Sequence, residues 1–228
     1  MVLIVTANYK GGAAKTTTTV SLGAISAESG RSVTVVDLDP QESTADWLNL
    51  VNARQELPFD WTGFLSAPND PDALRGLRQI DSDVVLVDTP PTLSQAEMRV
   101  AVDMADFVIV PCPVASLDVK STVKMLRTML VPTNTRYKVL WTRRHFATKS
   151  EHIRYRDAFT ASGFTQFSAS VRDYAIYREA MEDEKLITHF GPKHENALSD
   201  YQAVALELFT DLSKPADVDL REQARQAV

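Results

Sequence analysis

The chain contains only one cysteine, Cys112, in 228 residues, and no apolar run approaches the roughly 18 residues that a membrane-spanning helix needs. A single cysteine excludes an intrachain disulfide framework and any CxxC metal or redox pair. We expect Cys112 to be a small buried residue. No early segment resembles an export signal, because Asn8, Lys10 and nearby glycines interrupt the apolar residues. These absences predict a soluble protein of the reducing cytoplasm.

Positive charge is also scarce, with 24 Lys and Arg against 30 Asp and Glu and a net charge of −6. That balance argues against a protein that coats nucleic acid over its whole surface, although it leaves room for a local basic face. The 44% apolar content supports one buried core. We expect one domain over residues 1–213 and a polar, frayed tail over 214–228.

Apolar β-branched runs alternate with helical patterns, which is typical of a parallel sheet with crossover helices. The predicted strands are Val2–Thr6, Ser32–Asp37, Asp83–Val87, Phe107–Val110 and Tyr137–Thr142. The predicted helices between them are Lys15–Ser29, Glu42–Val51, Asp70–Gln79, Leu93–Met104 and Leu117–Leu130. Three further helices are predicted at Ser150–Ser162, Tyr174–Glu184 and Asn196–Ser213. The expected fold is α/β, with a single doubly wound, mostly parallel sheet and helices on both faces.

The segment KGGAAKTT, from Lys10 to Thr17, lies between the first strand and the first helix and has the features of a phosphate-binding loop. Gly11 and Gly12 allow a tight loop whose N–H groups point at phosphate oxygens. Lys15 would reach the β and γ phosphates, and the hydroxyl of Thr16 would bind Mg²⁺. The start of the helix adds partial positive charge, and Thr17 is a further phosphate donor.

This loop departs from the general pattern GxxxxGK[ST], because Tyr9 and Ala14 occupy its two glycine positions. Lys10 nevertheless resembles the signature lysine of the deviant Walker A motif, KGGxGKTT, of the ParA/MinD family of dimeric ATPases. The resemblance implies a P-loop NTPase fold, ATP hydrolysis, and a nucleotide site that includes Ala13 and Ala14. If position 14 needs a positive φ, alanine costs roughly 1 kcal/mol there. A nucleotide-binding scaffold with very slow turnover is therefore an alternative.

Two further motifs follow in the order found in that family. The segment VDLDPQ resembles its switch I, which implies that Asp39 orients the attacking water and that Asp37 supports the Mg²⁺ shell. Taken alone, this segment is equally consistent with a turn that carries a capping aspartate. The segment VLVDTPP resembles a Walker B strand followed by switch II, which implies that Asp88 lies near the Mg²⁺.

The resemblance also implies roles for residues outside these motifs. Lys10 would cross a two-fold interface to the partner's nucleotide, so that ATP bridges a homodimer and hydrolysis to ADP separates it. Thr142 and Arg143 are candidates for contact with the adenine base. Asp118 either contacts the partner subunit or caps a helix, and capping is favoured. The segment SVRDYAIYREA loosely resembles a block that packs near the nucleotide.

The densest basic stretch of the chain runs from residue 143 to residue 156. Together with later arginines it predicts a face for sequence-independent phosphate contacts. The candidate DNA contacts are Arg144, Lys149, Arg154, Arg156, Arg172 and Arg178. A solvated helix face is an equally good interpretation for any one of them.

The overall resemblance is to short plasmid-type ParA proteins, which lack an N-terminal operator-binding extension. It implies a partition ATPase that binds nucleoid DNA as an ATP dimer and is released when a ParB-like adaptor stimulates hydrolysis, with a plasmid or chromosome as cargo. One alternative is the same switch positioning a protein cargo. A MinD-like membrane-site selector is another; it is disfavoured because the final residues, DLREQARQAV, carry both charges and little apolar periodicity. We therefore expect no membrane partner.

Overall fold

The computed structural model describes residues 1–63, 71–91 and 95–214 of the chain. Within them, seven parallel strands form one sheet in the order β3-β2-β4-β1-β5-β6-β7. The strands are β1 (Val2–Thr6), β2 (Val33–Asp37), β3 (Asp60–Thr62), β4 (Val84–Asp88), β5 (Phe107–Pro113), β6 (Tyr137–Arg144) and β7 (Gln166–Arg172). The predicted parallel α/β fold is confirmed, with two strands more than predicted.

Eight α-helices connect and cover these strands in the described residues. They are α1 (Lys15–Glu28), α2 (Ser43–Arg54), α3 (Pro71–Gly76), α4 (Gln95–Met104), α5 (Ser116–Met125), α6 (Lys149–Ala161), α7 (Ile176–Glu182) and α8 (Glu195–Leu212). Helix α5 continues as a π-helical turn, Leu126–Leu130. All eight predicted helices are present, although the predicted starts at Asp70 and Leu93 and nearly all of the predicted tail lie outside the described residues.

The sheet separates two helix layers, each with its own apolar core. Strand side chains alternate between them, so that Leu3 and Val5 face one layer and Ile4 faces the other. The first, called here the α3–α6 layer, contains α3, α4, α5 and α6. The second, called here the α1–α8 layer, contains α1, α2, α7 and α8. Helices therefore cover both faces, as a doubly wound fold requires.

The prediction that Cys112 is a small buried residue is confirmed. Cys112 lies in β5 and is fully buried, and this burial raises the pKa of its thiol to about 12. A thiol with so high a pKa is protonated at neutral pH and unreactive.

Loops that follow several strands converge at the carboxyl edge of the sheet. Strand β1 is central, and its loop leads to α1 in one layer, whereas β4 and β5 lead to helices of the other layer. Such a reversal opens a crevice beyond the strand ends, which is where open parallel sheets bind ligands. The predicted nucleotide-site residues lie in these loops, at the ends of the strands or in the first turn of α1.

Candidate functional site

The loop between β1 and α1 contains two left-handed residues, Gly12 with φ 72° and Ala14 with φ 73°. A Cβ atom built on Gly12 would meet nothing within 4 Å, so its glycine is needed for backbone conformation rather than for space. Ala14 adopts the same conformation with a side chain, at a cost of about 1–2 kcal/mol. Position 14 therefore does require a positive φ.

Side-chain hydrogen bonds hold both ends of this loop. The Nδ2 group of Asn8 donates to the carbonyl oxygen of Pro111 at 2.7 Å and to Oγ1 of Thr122 at 2.8 Å. The backbone N–H of Lys10 donates to Oδ1 of Asn8 at 3.0 Å. Sequence reasoning missed Asn8, although a polar amide directly after a buried strand was a usable signal. Its bonds fix the loop to β5 and α5.

The other anchor of the loop is Thr142, which was predicted as a contact for the base. Its buried hydroxyl donates to the carbonyl oxygen of Ala13 at 3.2 Å. Thr142 and Arg143 also line a small pocket beside Ala14 and Thr17. The tyrosines of this pocket are Tyr174, Tyr177 and Tyr201. The pocket adjoins the loop where the base of a bound nucleotide is expected, and the assignment of the two residues remains a prediction.

Lys15 lies inside the loop, with only 7% of its surface exposed. Its ammonium group donates to the carbonyl oxygen of Lys10 at 3.3 Å. Burial lowers the pKa of Lys15, and the carboxylates of Asp88 and Asp39 offset part of that effect. A desolvated ammonium group within such a loop is a favourable site for an incoming anion.

Asp88 connects the loop to the end of β4. Its Oδ2 atom accepts hydrogen bonds from the hydroxyls of Thr16 at 2.5 Å and Thr44 at 2.8 Å. Its Oδ1 atom is buried and has no hydrogen-bond partner among the described residues. Burial, reinforced by nearby Asp37, raises the pKa of Asp88 to about 6, while the two hydroxyls and Lys15 act in the opposite direction. The predicted metal residues Thr16 and Asp88 thus lie in contact.

This donor set fits Mg²⁺ that is bound together with a nucleotide. A hydroxyl and a carboxylate with an unpartnered oxygen are hard ligands, as Mg²⁺ prefers. The described residues contain no group of three or more His, Cys, Asp or Glu side chains arranged to hold a metal. The ion would therefore take its remaining ligands from phosphates and water. Thr44, which the sequence analysis missed, follows Ser43 at the start of α2, and small hydroxyl residues there were the available signal.

Asp37 is fully buried, and its carboxylate accepts three backbone N–H groups. Oδ1 accepts from Asp39 at 2.8 Å, and Oδ2 accepts from Thr44 and Ala45 at 3.0 Å each. Burial raises the pKa of Asp37 despite these bonds. Asp37 therefore holds the start of α2, and through it Thr44, against Asp88. If Asp37 supports the Mg²⁺ shell as predicted, it would do so through the contact between Thr44 and Asp88.

Asp39 lies beyond the end of β2, at the mouth of the loop. Its Oδ1 atom accepts the N–H of Gln41 at 2.9 Å, and its charge acts on Lys15. A partly exposed carboxylate next to the phosphate loop is well placed to contact water. Its catalytic assignment remains a prediction.

Lys10 projects from the rim of the loop, with 47% of its side chain exposed. Its ammonium group lies 3.6 Å from Oδ1 of Asp118, in the first turn of α5. Asp118 is 16% exposed and does not cap α5, because the cap position is Ala115 and no side chain forms a capping hydrogen bond there. The capping role that the sequence analysis favoured for Asp118 is therefore wrong. The structure thus pairs Asp118 with Lys10 of the same chain, an arrangement that the sequence analysis did not anticipate.

The candidate DNA residues separate into two groups. Lys149 and Arg154 of α6 are exposed and have no acidic partner among the described residues. Arg172 and Arg178 are ion-paired, with Asp200 at 2.7 Å and Asp173 at 3.4 Å respectively. The remaining two, Arg144 and Arg156, are partly buried. The six residues do not form one continuous set of unpaired cations, and their role in DNA binding remains a prediction.

A glycine loop before a helix, an enclosed lysine and a threonine bonded to a strand-end aspartate define a P-loop nucleotide-binding protein. The family model described as CobQ/CobB/MinD/ParA nucleotide binding domain matches residues 4–200. The chain belongs to this family, and its fold is that of a ParA/MinD-type ATPase.

Three similar proteins support this assignment, and the share of the chain that each comparison covers differs. The chain is 34% identical over 209 residues to "Maintenance of carboxysome distribution protein A" of Gloeobacter kilaueensis, covering 91% of this chain and 94% of that protein. It is 37% identical over 120 residues to "Protein ParA" of Rhizobium radiobacter, covering 52% and 51%. The structure of the MinD cell division protein of Aquifex aeolicus has a TM-score of 0.71 and 18% identity, covering 94% of this chain and 99% of that one.

Proposed function

We propose that this protein is a positioning ATPase that dimerises around ATP and releases its partners after hydrolysis. The observation that carries the proposal is the position of Lys10. Its side chain stands half exposed at the rim of the phosphate loop, while Lys15 is enclosed within that loop. A second lysine at the rim would reach a phosphate on another subunit by giving up its contact with Asp118.

The chemistry of the proposed site is phosphoryl transfer to water. The N–H groups of residues 11–17 and the ammonium group of Lys15 would hold the phosphates, and Asp39 would orient the attacking water. Thr16 and Asp88 would hold Mg²⁺, which neutralises phosphate charge when bound. Asp37 would act through the start of α2, by keeping Thr44 on Asp88.

The switch would consist of an exchange of partners by Lys10. In the free subunit its ammonium group pairs with Asp118. In the ATP-bound dimer it would pair with phosphates of the facing subunit, which carry more negative charge than one carboxylate. ADP lacks the γ phosphate, so the dimer would open after hydrolysis.

The proposed partners are nucleoid DNA for the dimer and an adaptor protein of ParB-like role that stimulates hydrolysis. Exposed, unpaired cations on α6 support the first, because sequence-independent DNA binding needs free positive charge. No helix in the described part of the chain is long and apolar enough to cross a bilayer. The proposed location is the cytoplasm, in association with the nucleoid.

The cargo is more consistent with a protein assembly than with a plasmid. Similarity to a relative named for carboxysome distribution extends over 94% of that relative, whereas similarity to "Protein ParA" of Rhizobium radiobacter covers 51% of it. We therefore favour the alternative of a protein cargo over plasmid partition. In the native host, deletion of the gene should misplace a large protein assembly and leave plasmid retention unchanged; the converse would restore the partition hypothesis.

The decisive test of the switch is the Lys10→Ala variant, with Lys193→Ala as a matched control. Lys193 is an exposed lysine in the turn before α8. Light scattering should show an ATP-dependent dimer for the wild type and for Lys193→Ala, and a monomer for Lys10→Ala. Binding of a fluorescent ATP analogue should persist in all three proteins. Unchanged dimerisation of Lys10→Ala would refute the role of Lys10 across the interface.

A further inference from the structure

The two helix layers differ in the sign of their charge. Helix α8 of the α1–α8 layer carries four acidic residues and no Lys or Arg; they are Glu195, Asp200, Glu207 and Asp211. Helix α5 and its π-helical turn, in the α3–α6 layer, carry Lys120, Lys124 and Arg127 against Asp118 alone. A chain that is acidic overall therefore presents positive charge on one layer.

The three cations of α5 form a stripe along its outer surface, called here the α5 stripe. Lys120, Lys124 and Arg127 follow one another at steps of four and three residues, so they share one helix face. All three are exposed, while Val119 and Met125 pack into the core. None of the three has an ion pair with any residue that the structure describes, whereas Asp118 is engaged with Lys10.

The cations of α6 belong to the same helix layer as the α5 stripe. Both helices pack on the same face of the sheet, and the strands that they connect, β5, β6 and β7, are consecutive neighbours. Lys149 and Arg154 are exposed on α6. The two helices therefore contribute unpaired positive charge to the same layer of the molecule, from separate parts of the sequence.

We propose that the α5 stripe binds the phosphate backbone of duplex DNA, as part of one surface with Lys149 and Arg154. This inference rests on the proposed DNA-binding function and assigns to it residues that a search for dense basic segments passes over. The three cations are separated by apolar and hydroxyl residues, so they are adjacent only on the helix surface. In an ATP-bound dimer the surface would be present twice.

The dimensions and composition of the α5 stripe favour DNA over other polyanions. Its seven-residue span corresponds to about 10 Å, which matches roughly three phosphates of one strand. Between Lys120 and Arg127 no large hydrophobic side chain is exposed, although Leu117 on α5 and Phe146 and Ile153 at α6 are exposed. Because a membrane-binding helix uses apolar side chains beside its cations, the test below includes anionic vesicles. An extended row of cations is suited to the regularly spaced charge of a nucleic acid backbone.

The test compares two triple variants of equal charge change in the full chain. One is Lys120→Ala, Lys124→Ala and Arg127→Ala together. The control is Arg54→Ala, Lys185→Ala and Lys193→Ala, which removes three exposed cations in and around α2, α7 and α8. Binding of a random-sequence 30-base-pair duplex is measured with ATP at several salt concentrations. ATP-analogue binding and dimer formation, measured in parallel, should match the wild type in both variants.

The α5 variant should bind DNA at least about tenfold more weakly at 0.1 M salt, with the slope of log K against log salt smaller by about three per subunit. The control should retain the wild-type slope. If the wild type binds but the α5 variant keeps its affinity and slope, the α5 stripe is not a DNA surface, and the proposed function stands. If the wild type binds no duplex with ATP, the proposed function fails and this inference with it. The inference would also be overturned by a third result. In that result the wild type binds anionic vesicles or poly-glutamate but no duplex, and the α5 variant loses this binding.

Discussion

At the scale of single residues, the phosphate loop is strained at one position and otherwise well supported. Ala14 holds a left-handed backbone that its methyl group disfavours, immediately before the first turn of α1. Asn8 and Thr142 hold the flanking backbone by hydrogen bonds, so the rest of the fold maintains this conformation.

The first prediction concerns Ala14→Gly, with Ala13→Gly as control. Both changes add backbone freedom to the unfolded chain, but only the first relieves a positive φ, and Ala13→Gly also removes a fully buried methyl group worth about 1 kcal/mol. Urea denaturation should therefore give Ala14→Gly an unfolding free energy about 2–3 kcal/mol above that of Ala13→Gly. A difference of only about 1 kcal/mol would mean that position 14 is not strained. ATP turnover measured alongside tests the slow-scaffold alternative, which is supported if turnover becomes detectable only with glycine.

A second residue-scale prediction follows from the contact between Lys10 and Asp118. Asp118→Asn removes the charge that competes with phosphate for the Lys10 ammonium group. Because a partly exposed ion pair contributes up to about 1 kcal/mol and each dimer breaks two of them, the variant should dimerise with ATP at a protein concentration up to about thirtyfold lower. Sedimentation at graded concentrations would show this. Asp157→Asn, an exposed aspartate on α6, should behave as wild type; weaker dimerisation of Asp118→Asn would indicate that Asp118 instead supports the interface.

At the scale of elements, α6 is fixed to the sheet through an aromatic group that includes a buried histidine. The ring of His152 meets that of Trp141 edge-on, with 5.6 Å between centroids, and Phe159 packs on the same indole. The Nε2 atom of His152 has no hydrogen-bond partner among the described residues. Burial, with Arg156 and Arg144 nearby, lowers the pKa of His152 to about 4.

This arrangement predicts a pH-dependent attachment of α6. The unfolded chain takes up a proton at His152 below about pH 6.5, whereas the folded chain does so only near pH 4. Between these values the unfolded state binds more protons, so stability falls as the pH falls, by up to about 1.4 kcal/mol per pH unit. Above about pH 7 the difference in unfolding free energy between wild type and His152→Phe should be constant. Between about pH 6.5 and pH 4 the wild type should lose stability relative to the variant. A constant difference throughout would show that the histidine is not kept neutral.

Elements at the sheet edges were the least predictable from sequence. Strand β7 shows only two fully buried side chains, Phe167 and Val171, because it lies at an edge, and its sequence therefore lacks an apolar run. Strand β3, three residues at the other edge, has none. The central strands β1, β2 and β4 are buried on both faces and read as continuous apolar runs, so they were predicted almost to the residue.

At the scale of the whole molecule, nucleotide binding should be coupled to global stability through Lys15. The apo fold buries this ammonium group at a cost that a bound phosphate would offset. MgATP at 100 times its dissociation constant should raise the unfolding free energy by about 2.7 kcal/mol. Lys15→Met should have an apo melting temperature equal to or above that of the wild type and should lose the ATP-dependent rise. A variant that melts normally and still responds to ATP would place the phosphates elsewhere.

The sequence by itself determined the class of fold and the location of the phosphate loop, because both depend on local patterns. Central strands, helix periodicity and the motif from Lys10 to Thr17 are encoded in short windows whose meaning does not depend on distant residues. The same holds for Asp88, which directly ends an apolar strand. Even the question raised by Ala14 could be stated from the sequence, although its φ could not.

Only the tertiary structure decided which side chains engage one another. Asn8 meets Pro111 across 103 positions of sequence, and Thr16 meets Asp88 across 72. The pairing of Arg172 with Asp200 and the exposure of the α5 stripe likewise depend on how helices pack on the sheet. The later arginines Arg172 and Arg178 proved to be ion-paired, whereas cations that are sparse along the chain lie together on the surface of α5. The physical reason is that a parallel sheet joins its strands through long crossovers, so its working contacts are made between residues far apart in sequence.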